Sequence, residues 1–246
     1  IVDVRDLWPD IFLSRLGRLR KYVAAILLTG DFEKLRYLLE NASGVTAVSS
    51  GYLNWAMEYA RRSRTGRDCV FHLGYKSVDK IDYTFIGGSL VSTLKRIHGA
   101  KICVYIGTHG NSYELPIVIE AARVFCRDHV GGRVHFVIAG QGEQTASLKK
   151  MAAGMDNVSF VGWINSHEIA FLLKHAYLGI VPCKSVDGTF PNKPIEYMSA
   201  GLPIVSSIEG EMARLVEEKG LGCNYLPGDL DGLCRGIKCI VEDDAL

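Results

Sequence analysis

Short, β-branched apolar runs recur along this chain, separated by segments whose apolar residues return at helical spacing. In the second half the runs are Ile102 to Ile106, Val134 to Ala139, Val158 to Val161, Leu178 to Val181, Pro203 to Ser206 and Gly222 to Tyr225. They are continuous rather than alternating, as expected of strands covered on both faces. Strands and helices in alternation predict right-handed crossovers and a parallel sheet between two helical layers, a doubly wound α/β domain. The first half carries the same rhythm less regularly. Ile1 to Val4 reads as a strand, about Ile11 to Asn41 as a long helical region that breaks near Thr29-Gly30-Asp31, and Val45 to Val48 as a strand. A helix is predicted from Gly51 through about Arg64, then a strand from Asp68 to Leu73. The pattern loosens into polar residues over 76–82 and resumes with a helix-like stretch, Tyr83 to Ile97. The predicted organisation is a partial α/β domain over 1–78 and a second α/β domain over 79–246.

Open parallel sheets take ligands at the carboxyl ends of their strands, so the loops after Ile106, Ala139, Val161, Val181 and Ser206 are expected to share one rim. Gly107 to Gly110, Gly140 to Glu143, Gly162 to Ile164 and Ser185 to Glu196 all lie in those loops.

Composition narrows the function classes. With 48% hydrophobic residues in 246, a sizeable core can be buried. Twenty-eight Lys and Arg against 27 Asp and Glu leave a net charge of +1, which gives no global argument for nucleic acid as a partner. Seven scattered cysteines without a C-x-x-C pair read as reduced core residues, which favours the cytosol. There is no apolar run of about 20 residues. The chain opens on Ile1-Val2-Asp3-Val4 without an initiator Met, and is read as a piece of a longer protein.

The most informative stretch runs from Phe190 through Pro191-Asn192-Lys193-Pro194-Ile195-Glu196 to Gly201-Leu202-Pro203-Ile204-Val205. A proline at the first helical position and a glycine exit predict a short helix. Its free N–H groups would lie near Asn192 to Ile195, beside Lys193, a setting that stabilises an anion. Glu196 follows within the same turn, suited to sugar hydroxyls. Other signals are weaker. Gly140-Gln141-Gly142-Glu143 lacks the third glycine of a dinucleotide fingerprint, so a tight turn and a phosphate cradle are both open. Gly107-Thr108-His109-Gly110-Asn111 is either a phosphate-facing turn or a plain loop, and no acid or nucleophile pairs visibly with His109. Seven histidines show no metal-ligand spacing, and no Walker loop or nucleophile elbow is present. Arg15, Arg18, Arg20 and Lys21, set among Leu13, Leu16, Leu19, Tyr22 and Val23, are either a solvated helix face or a patch for an anionic membrane surface.

These residues also carry a family resemblance. Val158 to Trp163, Ala176 to Pro182 and Pro191 to Val205 resemble the nucleotide-sugar-binding domain of the GT-B glycosyltransferases of group 1, which are retaining enzymes. The order of Gly107-Thr108-His109-Gly110, Gly140-Gln141-Gly142 and the Glu196 helix agrees over nearly all of residues 100–240. Val2 to Asp10 is similar to a subgroup that makes bacterial cell-surface polysaccharides. The resemblance implies a Rossmann-like C-terminal domain that binds the donor, preceded by part of an acceptor-side domain. It implies that Glu196 binds the donor ribose, that Asn192, Lys193, Pro194 and Ile195 meet the diphosphate, and that Gln141, Gly142, Trp163 and Ile164 line the base. It also places Gly107, His109 and Gly110 at the donor.

The chain departs from the family pattern twice. The first glutamate of the paired-glutamate motif falls at Gly188, and the cationic pair after the first strand of the donor domain is replaced by Thr108 to Glu114. Lys193 and the helix end are therefore expected to carry more of the diphosphate charge. Arg5 and Asp6 stand where many relatives face the acceptor. The implied activity is retaining transfer from a UDP- or GDP-sugar to a saccharide, lipid-linked acceptor, at the inner face of the bacterial plasma membrane. No cofactor or metal is implied, since a helix terminus and a lysine do what magnesium does elsewhere. A non-catalytic sugar-nucleotide-binding subunit and a nucleotide-sugar 2-epimerase of the same fold stay open. If about half of the acceptor domain is missing, these 246 residues are expected not to turn over alone.

Overall fold

The computed structural model describes residues 1–14, 16–76, 78, 80–128, 133–184 and 191–242. The chain forms two compact units, Ile1–Leu73 and a larger one that begins at Gly74.

In the smaller unit β1 (Val2–Val4) is followed by three helices, α1 (Asp10–Ser14), α2 (Arg18–Leu27) and α3 (Thr29–Glu40), then by β2 (Val45–Ala47), α4 (Ser50–Ala60) and β3 (Cys69–Val70). The strands pair in parallel in the order β1-β2-β3. The helical region expected over 11–41 with a break near Thr29 is divided twice: Leu28 separates α2 from α3 close to the expected break, and Gly17, extended ahead of α2, adds a second one. Helix α4 stops at Ala60, short of Arg64, because Arg61 adopts the left-handed conformation (φ 49°). The strand expected over Asp68 to Leu73 shrinks to two residues. Asp68 is instead a buried acceptor, taking hydrogen bonds from both Arg62 terminal nitrogens at 2.7 and 2.8 Å, from the Val45 N–H at 2.9 Å, and from the Thr65 N–H and hydroxyl at 2.7 and 2.9 Å. Leu39, Val45, Ala47, Leu53 and Ala56 form this unit's core.

The larger unit opens with a 3₁₀ turn (Tyr83–Phe85) and α5 (Gly88–Arg96), two elements where one helix was expected because Ile86 and Gly87 are extended. Strands and helices then alternate: β4 (Lys101–Ile106), α6 (Leu115–Asp128), β5 (Val134–Ala139), α7 (Thr145–Met151), β6 (Val158–Gly162), α8 (Ser166–Leu173), β7 (Leu178–Val181), α9 (Asn192–Ser199), β8 (Ile204–Ser206), α10 (Glu211–Lys219), β9 (Gly222–Asn224) and α11 (Leu230–Glu242). All six strands are parallel, in the order β6-β5-β4-β7-β8-β9. This is the doubly wound order, with the direction of winding reversing between β4 and β7. One face of the sheet packs Cys103, Phe136, Leu178, Ile180 and Val205 against Val118, Ala122 and Phe125 of α6 and Leu233 and Ile237 of α11. The other face carries α5 on β6, α9 on β7 and β8, and α10 on β9. The predicted doubly wound α/β architecture therefore holds, and its switch point lies between the loops that leave β4 and β7.

Candidate functional site

Helix α9 begins at that switch point. Pro191 is its extended N-cap and Asn192 its first helical residue, so neither proline of the segment takes the first helical position expected of one, and Pro194 stands third. It is tolerated there because N–H groups in the first turn have no intrahelical acceptor. At the other end Gly201 takes a left-handed φ of 73°; its N–H reaches the Met198 carbonyl and the Leu202 N–H that of Tyr197, both at 3.0 Å. Gly188 lies outside the described residues.

Lys193 is half-buried at the start of α9. Its Nζ lies 3.8 Å from the centre of the Tyr113 ring and 5.6 Å from that of Tyr105. A side chain on Gly107 would collide with it, since a Cβ there falls 2.2 Å from Lys193 Cε. The lysine therefore lies across the first residue after β4. Burial lowers its pKa to about 8, against the pull of Cys183 and Glu196, which favour the charged form. Glu196 follows one turn on. Burial pushes its carboxyl up, opposed by a hydrogen bond from Tyr75 and by Lys193. A partly desolvated ammonium and a partly desolvated carboxylate thus stand together beside a helix N-terminus.

The loops after β4 and β5 meet backbone to backbone. A Cβ on Gly140 would fall 1.8 Å from the Gly107 carbonyl oxygen, and one on Gly142 2.7 Å from that of His109. The Gly107 N–H donates to Ala139 and the His109 N–H to Gln141, both at 3.0 Å. Those two amides, expected as candidates for phosphate, are used within the protein. The His109 side chain is wholly buried, with Nδ1 2.9 Å from the Thr145 hydroxyl, and burial depresses its pKa. It braces the loop pair. Gly110 is half-buried and opens the turn that leads to Tyr113. A cavity of about 240 Å³ lies beyond, lined by Gly140, Gln141, Gly142, Thr145, Lys149, Phe160 and Gly162. Ile164 is buried near the end of β6, while Trp163 beside it is 72% exposed.

In the smaller unit, Arg5 and Asp6 are exposed at the carboxyl end of β1, and Arg5 Nε is 2.7 Å from Asp3. Arg18, Arg20 and Lys21 lie on α2, which buries none of its residues and exposes Leu19, Tyr22, Val23, Ile26 and Leu27. Arg15 lies outside the described residues. Among the described residues no helix is long and apolar enough to cross a membrane, and no cluster of three or more His, Cys, Asp or Glu has metal-binding geometry.

Sequence reasoning did not single out Tyr75, Tyr105, Thr145 or Lys149, and met Tyr113 only as part of a loop. Their periodicity carries no signal. What could have found Tyr105 and Tyr113 is their place, on the strand and loop that precede and follow Gly107.

Residues 100–243 match the family model of the group 1 glycosyltransferases. The chain belongs to this family. The glycosyltransferase domain so matched covers the whole β4 to α11 unit, including both loops and α9. Among curated relatives, the amylovoran biosynthesis glycosyltransferase AmsK of Erwinia amylovora is 32% identical over 53% of this chain and 33% of its own length. The 2-deoxystreptamine N-acetyl-D-glucosaminyltransferase of Niallia circulans is 24% identical over 91% of this chain and 51% of its own. The chain thus spans about half or less of these relatives. Among solved structures, WaaG, a glycosyltransferase involved in lipopolysaccharide biosynthesis, superposes with a TM-score of 0.69 at 15% identity, over 98% of this chain and 65% of its own. HepE of Anabaena, solved in complex with UDP-glucose, gives 0.62 at 21% identity over 86% of this chain and 58% of its own. These likenesses show the GT-B type of fold in this chain.

Proposed function

We propose that the chain is the donor-binding part, with a portion of the acceptor side, of a retaining glycosyltransferase that moves a sugar from a UDP-sugar to a saccharide in bacterial surface-polysaccharide synthesis. The single observation that carries the reading is the pairing of Lys193 and Glu196 at the start of α9, over the switch point of the sheet. Uridine is preferred to guanosine because the solved neighbour HepE was captured with UDP and UDP-glucose. In this reading the unit Ile1–Leu73 supplies part of the acceptor side, and the unit that begins at Gly74, which includes Tyr75, supplies the donor side.

The donor diphosphate meets the first-turn N–H groups of Asn192, Lys193 and Ile195 and the Lys193 ammonium. Bond cleavage at the sugar places charge on the departing diphosphate, where a fixed dipole and a poorly solvated cation stabilise it most. Glu196 accepts hydrogen bonds from the ribose hydroxyls and fixes the nucleoside, so that remote binding energy orients the reacting carbon. The base enters the cavity beside Gln141 and Gly142, with Trp163 at its edge. Arg5 and Asp6 face the acceptor. The basic, apolar α2 rests on the anionic inner leaflet of the plasma membrane, which brings a lipid-linked acceptor to the enzyme.

Equilibrium binding of UDP, GDP and ADP to these 246 residues tests the donor assignment. UDP is expected to bind and to stabilise by roughly 2.7 kcal/mol at 100 times its dissociation constant. Glu196→Ala and Lys193→Met are each expected to weaken it tenfold or more. Tight binding with no transfer by the full-length protein would instead favour a sugar-nucleotide-binding subunit, the reading suggested by the loop after β4, which brings no lysine or arginine to the switch point.

A further inference from the structure

Tyr113 in the loop after β4 and Tyr105 in β4 set aromatic rings beside Lys193, and the loop lacks the cationic pair of the family pattern. Residues 112–114 run antiparallel to 182–184 across the switch point: the Glu114 N–H donates to Pro182 at 2.8 Å, the Lys184 N–H donates to Ser112 at 3.1 Å, and Tyr113 pairs with Cys183. This bridge fixes the Tyr113 backbone to both sides of the crevice. The Tyr113 and Tyr105 rings meet edge to face, their centres 5.7 Å apart and their planes at 67°. Tyr105 is held in turn, because its hydroxyl donates to the Thr108 carbonyl at 2.7 Å. Lys193 Nζ occupies the corner between the two rings, and Gly107 leaves the space its stem requires.

From this geometry we infer that Tyr113 is a positioning residue for the diphosphate: the face of its ring seats the Lys193 ammonium and keeps it charged beside a β4 loop that brings no lysine or arginine of its own. The inference rests on the donor-site reading of Lys193. An ammonium stripped of water is stabilised over an electron-rich ring face. The groups that face Lys193 are Cys183 from the loop after β7, Glu196 from its own helix, and the two tyrosines from β4 and its loop. Burial raises Cys183 to about 11 and Tyr113 to about 12, so both stay neutral over the working range, and Glu196 is the anion among them. The Tyr113 contact is accordingly one of ring to cation, not of phenolate to cation.

The test measures UDP-glucose affinity by calorimetry from pH 7 to 9.5 in the wild-type chain and in variants. Ionisations of the ligand itself are common to all and cancel in the comparison. Wild-type affinity is expected to hold until Lys193 begins to deprotonate and to decline above. Tyr113→Phe keeps that profile. Tyr113→Leu weakens binding about tenfold at neutral pH and moves the onset of the decline down by about one pH unit. If Tyr113→Leu does not fold, mono-, di- and trifluorophenylalanine at position 113 keep the shape while withdrawing charge from the ring face. The onset should then fall stepwise with each fluorine. An onset indifferent to fluorination, or equal in Tyr113→Phe and Tyr113→Leu, overturns the inference about Tyr113 while Lys193→Met still weakens binding. Indifference to Lys193→Met overturns the donor-site reading with it.

Discussion

The hydroxyl of Tyr197 accepts a hydrogen bond from the backbone N–H of Ile106 at 2.9 Å. Ile106 ends β4, beyond the last rung that β4 shares with β7 at Val104 and Gly179. The two strands part there to open the switch point, which deprives that amide of a strand partner, and a helix side chain takes the strand's place. The same bond ties α9 to the sheet and so sets where Lys193 and Glu196 stand. Tyr197→Phe leaves a buried N–H unsatisfied and is expected to cost about 1–3 kcal/mol in urea denaturation.

Under the Tyr197 ring lies Gly179 of β7, where a Cβ would fall 2.2 Å from Cδ2 of the ring. Gly179→Ala therefore displaces α9 and is expected to lower stability by about 1–3 kcal/mol and to weaken UDP binding together with it. Gly30, in the first turn of α3, is the internal control: nothing lies within 4 Å of a Cβ there. Gly30→Ala should stabilise by about 0.5 kcal/mol and leave UDP binding unchanged. Thermal unfolding and calorimetry of the pair separate close packing from glycine content as such.

Gly140 shows how far the fold and the site were legible in the sequence. Continuous apolar runs locate β5 and β7 to the residue because parallel strands buried on both faces tolerate little else. The helix at Lys193 and Glu196 was legible too, since proline entry and glycine exit are local signals. Tertiary uses of local motifs were not. Gly107 and Gly140 read as either phosphate turns or plain loops, and the reason each is a glycine, that another backbone or the Lys193 stem occupies its Cβ position, could not be read locally. Tyr75 and Tyr113 lie in loops, where no periodicity marks a residue that reaches across to a charged partner. The break at Leu28 fell close to where it was expected, but the one at Gly17 was missed because a glycine at a helix start and one inside a helix look alike without the backbone angles. For Gly140→Ala, with φ 122° and 1.8 Å to the Gly107 oxygen, the expected cost is about 3 kcal/mol or more, with UDP binding abolished. Retention of native UDP affinity would show that the two loops can separate.

If Glu196 binds the donor as proposed, it sets an acid limb to donor affinity. Burial raises its carboxyl, while the hydrogen bond from Tyr75 and the charge of Lys193 hold it down. In the proposed ribose contact only the ionised form would accept from two hydroxyls, so protons are expected to compete with the nucleotide and affinity to fall as pH drops through the Glu196 value. Tyr75→Phe removes one of the two groups that hold the carboxyl down, and the fall should begin at higher pH. Its cost at neutral pH is expected to be about 1 kcal/mol, roughly fivefold in affinity. Glu196→Gln should flatten the acid limb. UDP-glucose titrations between pH 5 and about 7.5 check both variants, and an acid limb unchanged in Glu196→Gln would assign it to another group.

Stability of the smaller unit depends on Asp68. The Arg62 guanidinium holds its carboxyl well below the usual carboxylate range against the effect of burial, helped by the Thr65 and Val45 N–H groups. A carboxyl lowered by folding contributes stability that is fully present above its unfolded value, about 3.9, and is lost as pH falls through the folded one. The urea midpoint of this unit is therefore expected to be flat between pH 7 and about 5 on this group's account and to decline below about 4. Asp68→Asn leaves Arg62 and the Val45 and Thr65 donors facing a neutral amide that can accept only in part. It should cost about 3 kcal/mol at pH 7 and make the acid decline shallower. Trp55 lies in this unit's core region, so its fluorescence in a Trp8→Phe, Trp163→Phe background reports the unfolding directly. An unchanged acid decline in Asp68→Asn would place the pH dependence on other carboxylates of the unit, such as Asp3 with its bonds from Arg5 and Thr46.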